Sequence, residues 1–159
     1  MTSPPRKPAA MTLRQRALAL LARREYSRTE LARRLAQQDG VSAEALEALL
    51  DALEVRGWLS DARYAEQRVH ARQARYGSRK LALELRERGV DGAVIDAALL
   101  GLRDTELARA RAVWQRKFPL PAQDARERAR QVRFLQARGF GFDVIRRVID
   151  GLDATDDVG

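Results

Sequence analysis

Cysteine is absent from the 159 residues, which excludes a disulfide framework, thiolate metal sites and cysteine nucleophiles. Histidine occurs once, as His70. Multi-His metal sites are thereby excluded, and a His-based triad would have to use that one residue. Its neighbour Val69 lies on an expected helix, and no partner stands at metal-ligand spacing, so His70 reads as incidental. Long apolar runs are missing too. The stretch from Ala17 to Ala22 is flanked closely by Arg14, Arg16, Arg23 and Arg24, too short for an export signal and far from the about 20 residues of a membrane span. The default compartment is therefore the cytoplasm. There is no glycine-rich phosphate loop, no nucleophile beside a positioned base and no carboxylate pair in a recognisable motif. Asp156 and Asp157 are paired acids, but they sit in a tail and read as solvated. The expectation is a protein that is no enzyme and takes no cofactor. Lysine is scarce as well: only Lys7, Lys80 and Lys117 among the 30 basic residues. Such arginine dominance fits either selection for planar, forked hydrogen bonding or GC-rich coding.

What is present is charge and helical periodicity. Apolar residues make up 45% and charged residues 33%, with a net charge of +8, a globular composition that favours a polyanionic partner or an acidic protein surface. Apolar residues recur at helical spacing, without a strand-like run. Leu13, Ala17, Leu20 and Leu21 make a first stripe. Ser27 and Glu30 form a capping box before Leu31 and Leu35, and Gly40 stops that helix. Ser42 caps a helix carrying Leu46, Leu49, Leu50 and Leu53, ended by a left-handed Gly57, after which Trp58 and Leu59 fold back onto the core. Ser60 or Asp61 caps a helix through Tyr64, Ala65 and Val69 to about Arg75. Gly77 and Ser78 restart the chain into Leu81 and Leu85, with a stop at Gly89, and Val94, Ile95, Ala98 and Leu99 mark a short helix. Asp104 caps the next, bearing Leu107, Ala110, Val113 and Trp114, until Pro119 and Pro121 break it. A last pair covers roughly Ala122 to Arg138 and Asp143 to Ile149. Residues 1–12 and 153–159 read as disordered tails, and Met11 is a second candidate start.

Beneath this lies a repeat. Leu85, Gly89, Val90, Ile95 and Leu99 map without a gap onto Leu135, Gly139, Phe140, Ile145 and Ile149, at a period of 50. A fainter copy holds Leu35, Gly40, Val41, Leu46 and Leu50. The fold expected is all-α, three tandem three-helix repeats over 13–59, 60–102 and 103–152. About 50 residues make only a marginal core, so neighbouring units should share faces and build an elongated body. The glycine takes a left-handed turn and the apolar residue after it plugs the corner.

Gly57 to Arg72, followed by Tyr76 to Val90, resembles the RecX family. The shared pattern is Gly57, Trp58, Leu59, Asp61, Arg63, Tyr64, Ala65, Arg72, Gly77, Leu81, Leu85 and Gly89, and Ser27 to Leu35 looks like the family's first repeat. Ser60 and Ala62 depart from it, standing where the family often has acidic residues, which thins an acidic turn but leaves the capping logic intact. The likeness spans roughly Leu13 to Leu152. It implies a regulator of the RecA recombinase that binds the RecA–DNA filament in its helical groove. It further implies suppression of ATP hydrolysis and strand exchange, with a place in recombination, DNA repair and the SOS response.

Candidate contact residues follow from charge. Arg63, Arg68, Arg72, Arg75, Arg79 and Lys80 crowd the middle of the chain. Arg72, Arg75 and Arg79 would line one helical face, bent into a basic corner by Gly77-Ser78. Arg126, Arg130 and Arg133 form a second stripe. These are the residues expected to meet the filament or DNA; a solvated face is the plain alternative. Glu44, Glu47, Asp51 and Glu54 read as an outer acidic face, and Trp58, Tyr64 and Trp114 as core rather than base-stacking platforms. The competing function is a helical module binding single- or double-stranded DNA non-specifically, although the acidic helix after Gly40 would repel phosphates. No coiled-coil seam is visible, so a monomer is expected.

Overall fold

The computed structural model describes residues 1–2, 4–5 and 9–151. The tail reading for 153–159, the end of the third repeat at 152 and positions 3 and 6–8 of the first tail lie outside them. Nine α-helices and no strand are found among the described residues: α1 (Leu13–Arg23), α2 (Arg28–Ala36), α3 (Ala43–Val55), α4 (Asp61–Arg72), α5 (Ser78–Glu87), α6 (Gly92–Leu99), α7 (Arg103–Lys117), α8 (Ala125–Ala137) and α9 (Phe142–Asp150), with a 3-10 turn at Leu100–Leu102 between α6 and α7.

The helix starts follow capping chemistry. Thr12 and Gln15 close a reciprocal capping box on α1, while Ser27 and Ser42 accept from the backbone N–H groups of Glu30 and Ala45 at the starts of α2 and α3. Each supplies an acceptor for an amide that the helix itself leaves unpaired. Asp124 does the same for Glu127 on α8. Asp104, by contrast, is not a cap. The 3-10 turn runs straight into α7, whose N-cap is Leu102, and Asp104 lies inside the first turn, where its charge suits the helix dipole. The helix α4 stops at Arg72, short of Arg75, because Arg75 and Tyr76 both donate their N–H groups back to the Arg72 carbonyl.

Three buried clusters follow the chain. Ala17, Tyr26, Leu31, Leu35, Leu50 and Leu59 belong to the first, Tyr64, Val69, Leu81, Leu85 and Ile95 to the second, and Ala110, Val113, Leu135, Phe140 and Ile145 to the third. The repeat is visible atom by atom. Gly89 and Gly139 have φ values of +77° and +89°. Val90 and Phe140 donate to the carbonyls of Leu85 and Leu135, while each glycine donates to the residue after that leucine. This paired closure is the Schellman arrangement, which needs a residue free to adopt positive φ. Val90 and Phe140 are then buried as corner plugs.

Trp58 corrects an expectation: it is 42% exposed, whereas Leu59 is buried. The turn at Gly57 directs Leu59 into the first core and leaves the indole outside, with the guanidinium groups of Arg14 and Arg56 5.6 and 5.2 Å from its centroid. Tyr64 is buried as expected. Trp114 packs on the third core with its indole N–H donated to Gln131 Oε1 at 2.8 Å. The chain divides into two compact units, 1–60 with α1–α3 and 61–159 with α4–α9.

Candidate functional site

Within the second unit, the α4–α5 corner is locked onto α7 and the α8–α9 corner. Gly77 N–H donates to Arg138 O at 2.7 Å and Arg79 N–H to Gly139 O at 3.1 Å. A Cβ on Gly77 would overlap the Gly139 carbonyl, and one on Gly139 would overlap Lys80. The two backbones therefore meet at a distance only glycine permits. From α7, the buried Glu106 accepts from Ser78 N–H and Ser78 Oγ, both at 2.9 Å, while Arg109 donates to the carbonyls of Gln73 and Tyr76. Glu106 and Arg109 pair at 3.3 Å with side chains only 7% and 12% exposed. Burial pushes the Arg109 pKa below the ordinary arginine value against the opposing pull of Glu106. This joint fixes the basic residues of α4, α5, α7 and α8 relative to one another.

Beside the joint opens a cavity of about 380 Å³ lined by Arg75, Tyr76, Arg116, Lys117, Phe134 and Arg138, with Val113 also on its wall. Four cations and no carboxylate line it. Arg138 lies over both rings, 5.3 Å from the centroids of Tyr76 and of Phe134. Arg116 donates to the carbonyls of Ala112 and Ala74, and Lys117 Nζ stands 5.8 Å from the Phe134 centroid. Arginine faces held over aromatic rings keep their N–H edges available for an anion.

The candidate residues from the sequence fall into different environments. Arg72 pairs with the largely buried Glu84 at 2.8 Å and lies 4.5 Å from the Tyr76 centroid. The hydrogen bond to Glu84 raises its pKa. Arg68 approaches the same carboxylate at 3.8 Å. These two cations are engaged within the fold. Lys80 Nζ lies over the same ring, 4.7 Å from the Tyr76 centroid. Arg75 faces the cavity, whereas the exposed Arg79 lines a separate groove with Arg103 and Phe142. Thus Arg72, Arg75 and Arg79 do not form one continuous stripe. Arg126, Arg130 and Arg133 are all exposed on α8, and Arg130 lies 5.8 Å from the Phe118 centroid.

Arg116, Lys117 and Arg138 escaped the sequence reading, as did Glu106 and Arg109. One signal was present for Glu106: it stands four residues before Ala110 and seven before Val113, on the buried stripe of α7. No such pattern marks the cavity, because its cations come from three separate helices and their ends. Nor does any group of His, Cys, Asp and Glu suited to a metal ion occur among the described residues, and no helix there is long and apolar enough to cross a membrane.

Comparison with known proteins places these features. Residues 60–99 match the family model described as RecX, second three-helix domain, and residues 104–149 that of the RecX, third three-helix domain. A protein of Ralstonia nicotianae named Regulatory protein RecX is 46% identical over 155 residues, covering 98% of this chain and 96% of the relative. One of the same name from Leptothrix cholodnii is 50% identical over 139 residues, covering 87% and 88%. In fold, the chain is similar to the crystal structure of RecX from Lactobacillus salivarius, with a TM-score of 0.78 at 19% identity over 89% of this chain and 94% of that one.

Proposed function

The chain belongs to the RecX family of regulatory proteins, and from that premise we propose that it is a non-catalytic regulator that binds the groove of a RecA–DNA filament and slows ATP hydrolysis and strand exchange. The observation that carries this reading is the near-full-length identity to relatives named as regulatory proteins. Repeats over 13–59, 60–102 and 103–152 would each meet part of the filament, and weak contacts joined on one chain sum to tight binding when their spacing matches the target. The joint supports this mechanism, since it holds the last two repeats in a fixed relation. Occupying the groove across neighbouring recombinase subunits would hold them against the motions of the ATPase cycle and obstruct incoming duplex. The protein acts as a cytoplasmic monomer in this scheme.

A second reading, a helical module acting on DNA directly, is favoured by the carboxylate-free cavity. The two are separated by titrating the protein, well below one molecule per recombinase, into RecA hydrolysing ATP on single-stranded DNA, with naked-DNA binding followed at the same salt. Inhibition at protein concentrations where naked DNA is still largely free is the expected result. Inhibition appearing only as the DNA itself becomes coated would replace regulation of the filament with competition for DNA.

A further inference from the structure

We propose that the cavity at the joint between α4, α7 and α8 is a phosphate-binding site that takes the backbone of a single-stranded nucleic acid. This deepens the regulatory reading and rests on it for its biological setting, but the binding itself is measurable without any recombinase. Three of the four lining cations are arginines, whose planar forks match phosphate oxygens. None of Arg75, Arg116, Lys117 and Arg138 has a carboxylate within ion-pair distance among the described residues, so their charge is not spent inside the fold. This distinguishes them from Arg68 and Arg72, which share Glu84, and from Arg109, which is paired with Glu106. Positions are also set in advance: Arg116 is tied to two carbonyls and Arg138 is held over two rings. Such preorganisation lowers the ordering cost of binding.

The size and lining suit one strand rather than a folded protein surface. A cavity of about 380 Å³ has room for a phosphate with its sugar. The aromatic edges of Tyr76 and Phe134 offer apolar contact to the sugar or base beside it. An acidic peptide would bring single carboxylates on flexible stems, a poorer match to four converging cations than a chain of closely spaced phosphates.

The test is fluorescence anisotropy of labelled oligothymidylate with the full-length protein over a range of salt, for wild type and three variants. Arg75→Ala with Lys117→Ala is expected to weaken binding at least about tenfold and to flatten the log affinity against log salt slope by about 0.7 per lost contact. Arg75→Lys with Lys117→Arg keeps the charge and is expected to restore most of the affinity. Arg33→Ala with Arg34→Ala, on the exposed face of α2, removes the same net charge elsewhere and is expected to have a smaller effect. Equal losses in the two alanine pairs would reduce the cavity to a share of the net charge and overturn the proposal. So would wild-type protein that binds tripolyphosphate at the cavity but not the oligonucleotide, which would assign the site to free polyphosphate. Unaltered DNA binding combined with weaker inhibition of recombinase ATPase would assign the cavity to an acidic protein surface instead. Absence of ATPase inhibition by the wild type would remove the regulatory reading and leave the phosphate result standing.

Discussion

Glu106 is a carboxylate on the buried stripe of α7, where the helical pattern otherwise places Ala110 and Val113. Its acceptors are consumed by Ser78 and Arg109, so its desolvation is offset by hydrogen bonds from the α4–α5 corner and from its own helix. Arg109 in turn satisfies three carbonyls, those of Gln73, Tyr76 and Leu102. Taking away the carboxylate strands a buried guanidinium and two Ser78 donors. Glu106→Ala is therefore expected to cost about 3–5 kcal/mol, read as a lowered denaturant midpoint. A loss under about 1 kcal/mol would mean that water replaces the carboxylate without penalty. At the same scale, a cation's sequence position does not decide its availability: Arg72 and Arg75 are close neighbours, yet only the former is tied to Glu84.

Among the elements, α3 has a charged face that reads as merely solvated from the sequence, yet the fold gives it an internal role. Arg28, at the start of α2, reaches Glu47 at 2.6 Å, Asp51 at 2.8 Å and Glu54 at 3.1 Å. Its burial works against its charge, but the hydrogen bonds it donates to these three carboxylates outweigh that and push its pKa upward. One arginine thereby holds two helices together through three acids spaced along a single face. The acids are well exposed, so the gain is modest. Arg28→Ala is expected to lower stability by about 1 kcal/mol at low salt, with a smaller loss at high salt, where the remaining acids repel one another less. Thermal melts at two ionic strengths measure this, and a loss that grows with salt would contradict it. The corner between α4 and α5 carries a second expectation. Charge reversal of Arg75 and Arg79 should weaken inhibition of recombinase ATPase with the circular dichroism unchanged, whereas Arg72→Glu should also lower the melting temperature through repulsion of Glu84. Full inhibition by the Arg75 and Arg79 reversal would make that corner a solvated face.

The molecule as a whole divides into two compact units, 1–60 and 61–159. The second and third helical groups share the joint of Gly77, Gly139, Glu106 and Arg109 and form one compact unit. Stability of such a unit is expected to be cooperative across α4–α9. Native-state hydrogen exchange should show the slowest amides of α4–α6 and α7–α9 opening with one free energy. Glu106→Ala should lower protection in all six helices and leave the core amides of α1–α3 unchanged. Independent opening of α4–α6 and α7–α9 would show that the joint does not couple them.

Local rules written in the residues determined the helices, the serine caps and the glycine corners. A helix stripe, an oxygen at the N-cap and a glycine with positive φ act over a few neighbours and need no knowledge of the rest of the chain. Leu85 with Gly89 and Val90, and Leu135 with Gly139 and Phe140, are legible for that reason, and so is the repeat they define. Where the local rules were silent, tertiary contact decided. The indole of Trp58 stays outside because Leu59 fills the first core, and Asp104 loses its capping role because the 3-10 turn enters α7 without a break. The candidate site belongs to the same class. Arg75, the adjacent pair Arg116 and Lys117, and Arg138 come from three separate stretches of the chain and signal nothing in common until two glycine backbones touch and bring their helices together. Charge can be counted along a sequence, but whether it is neutralised or concentrated depends on which side chains the packing makes neighbours.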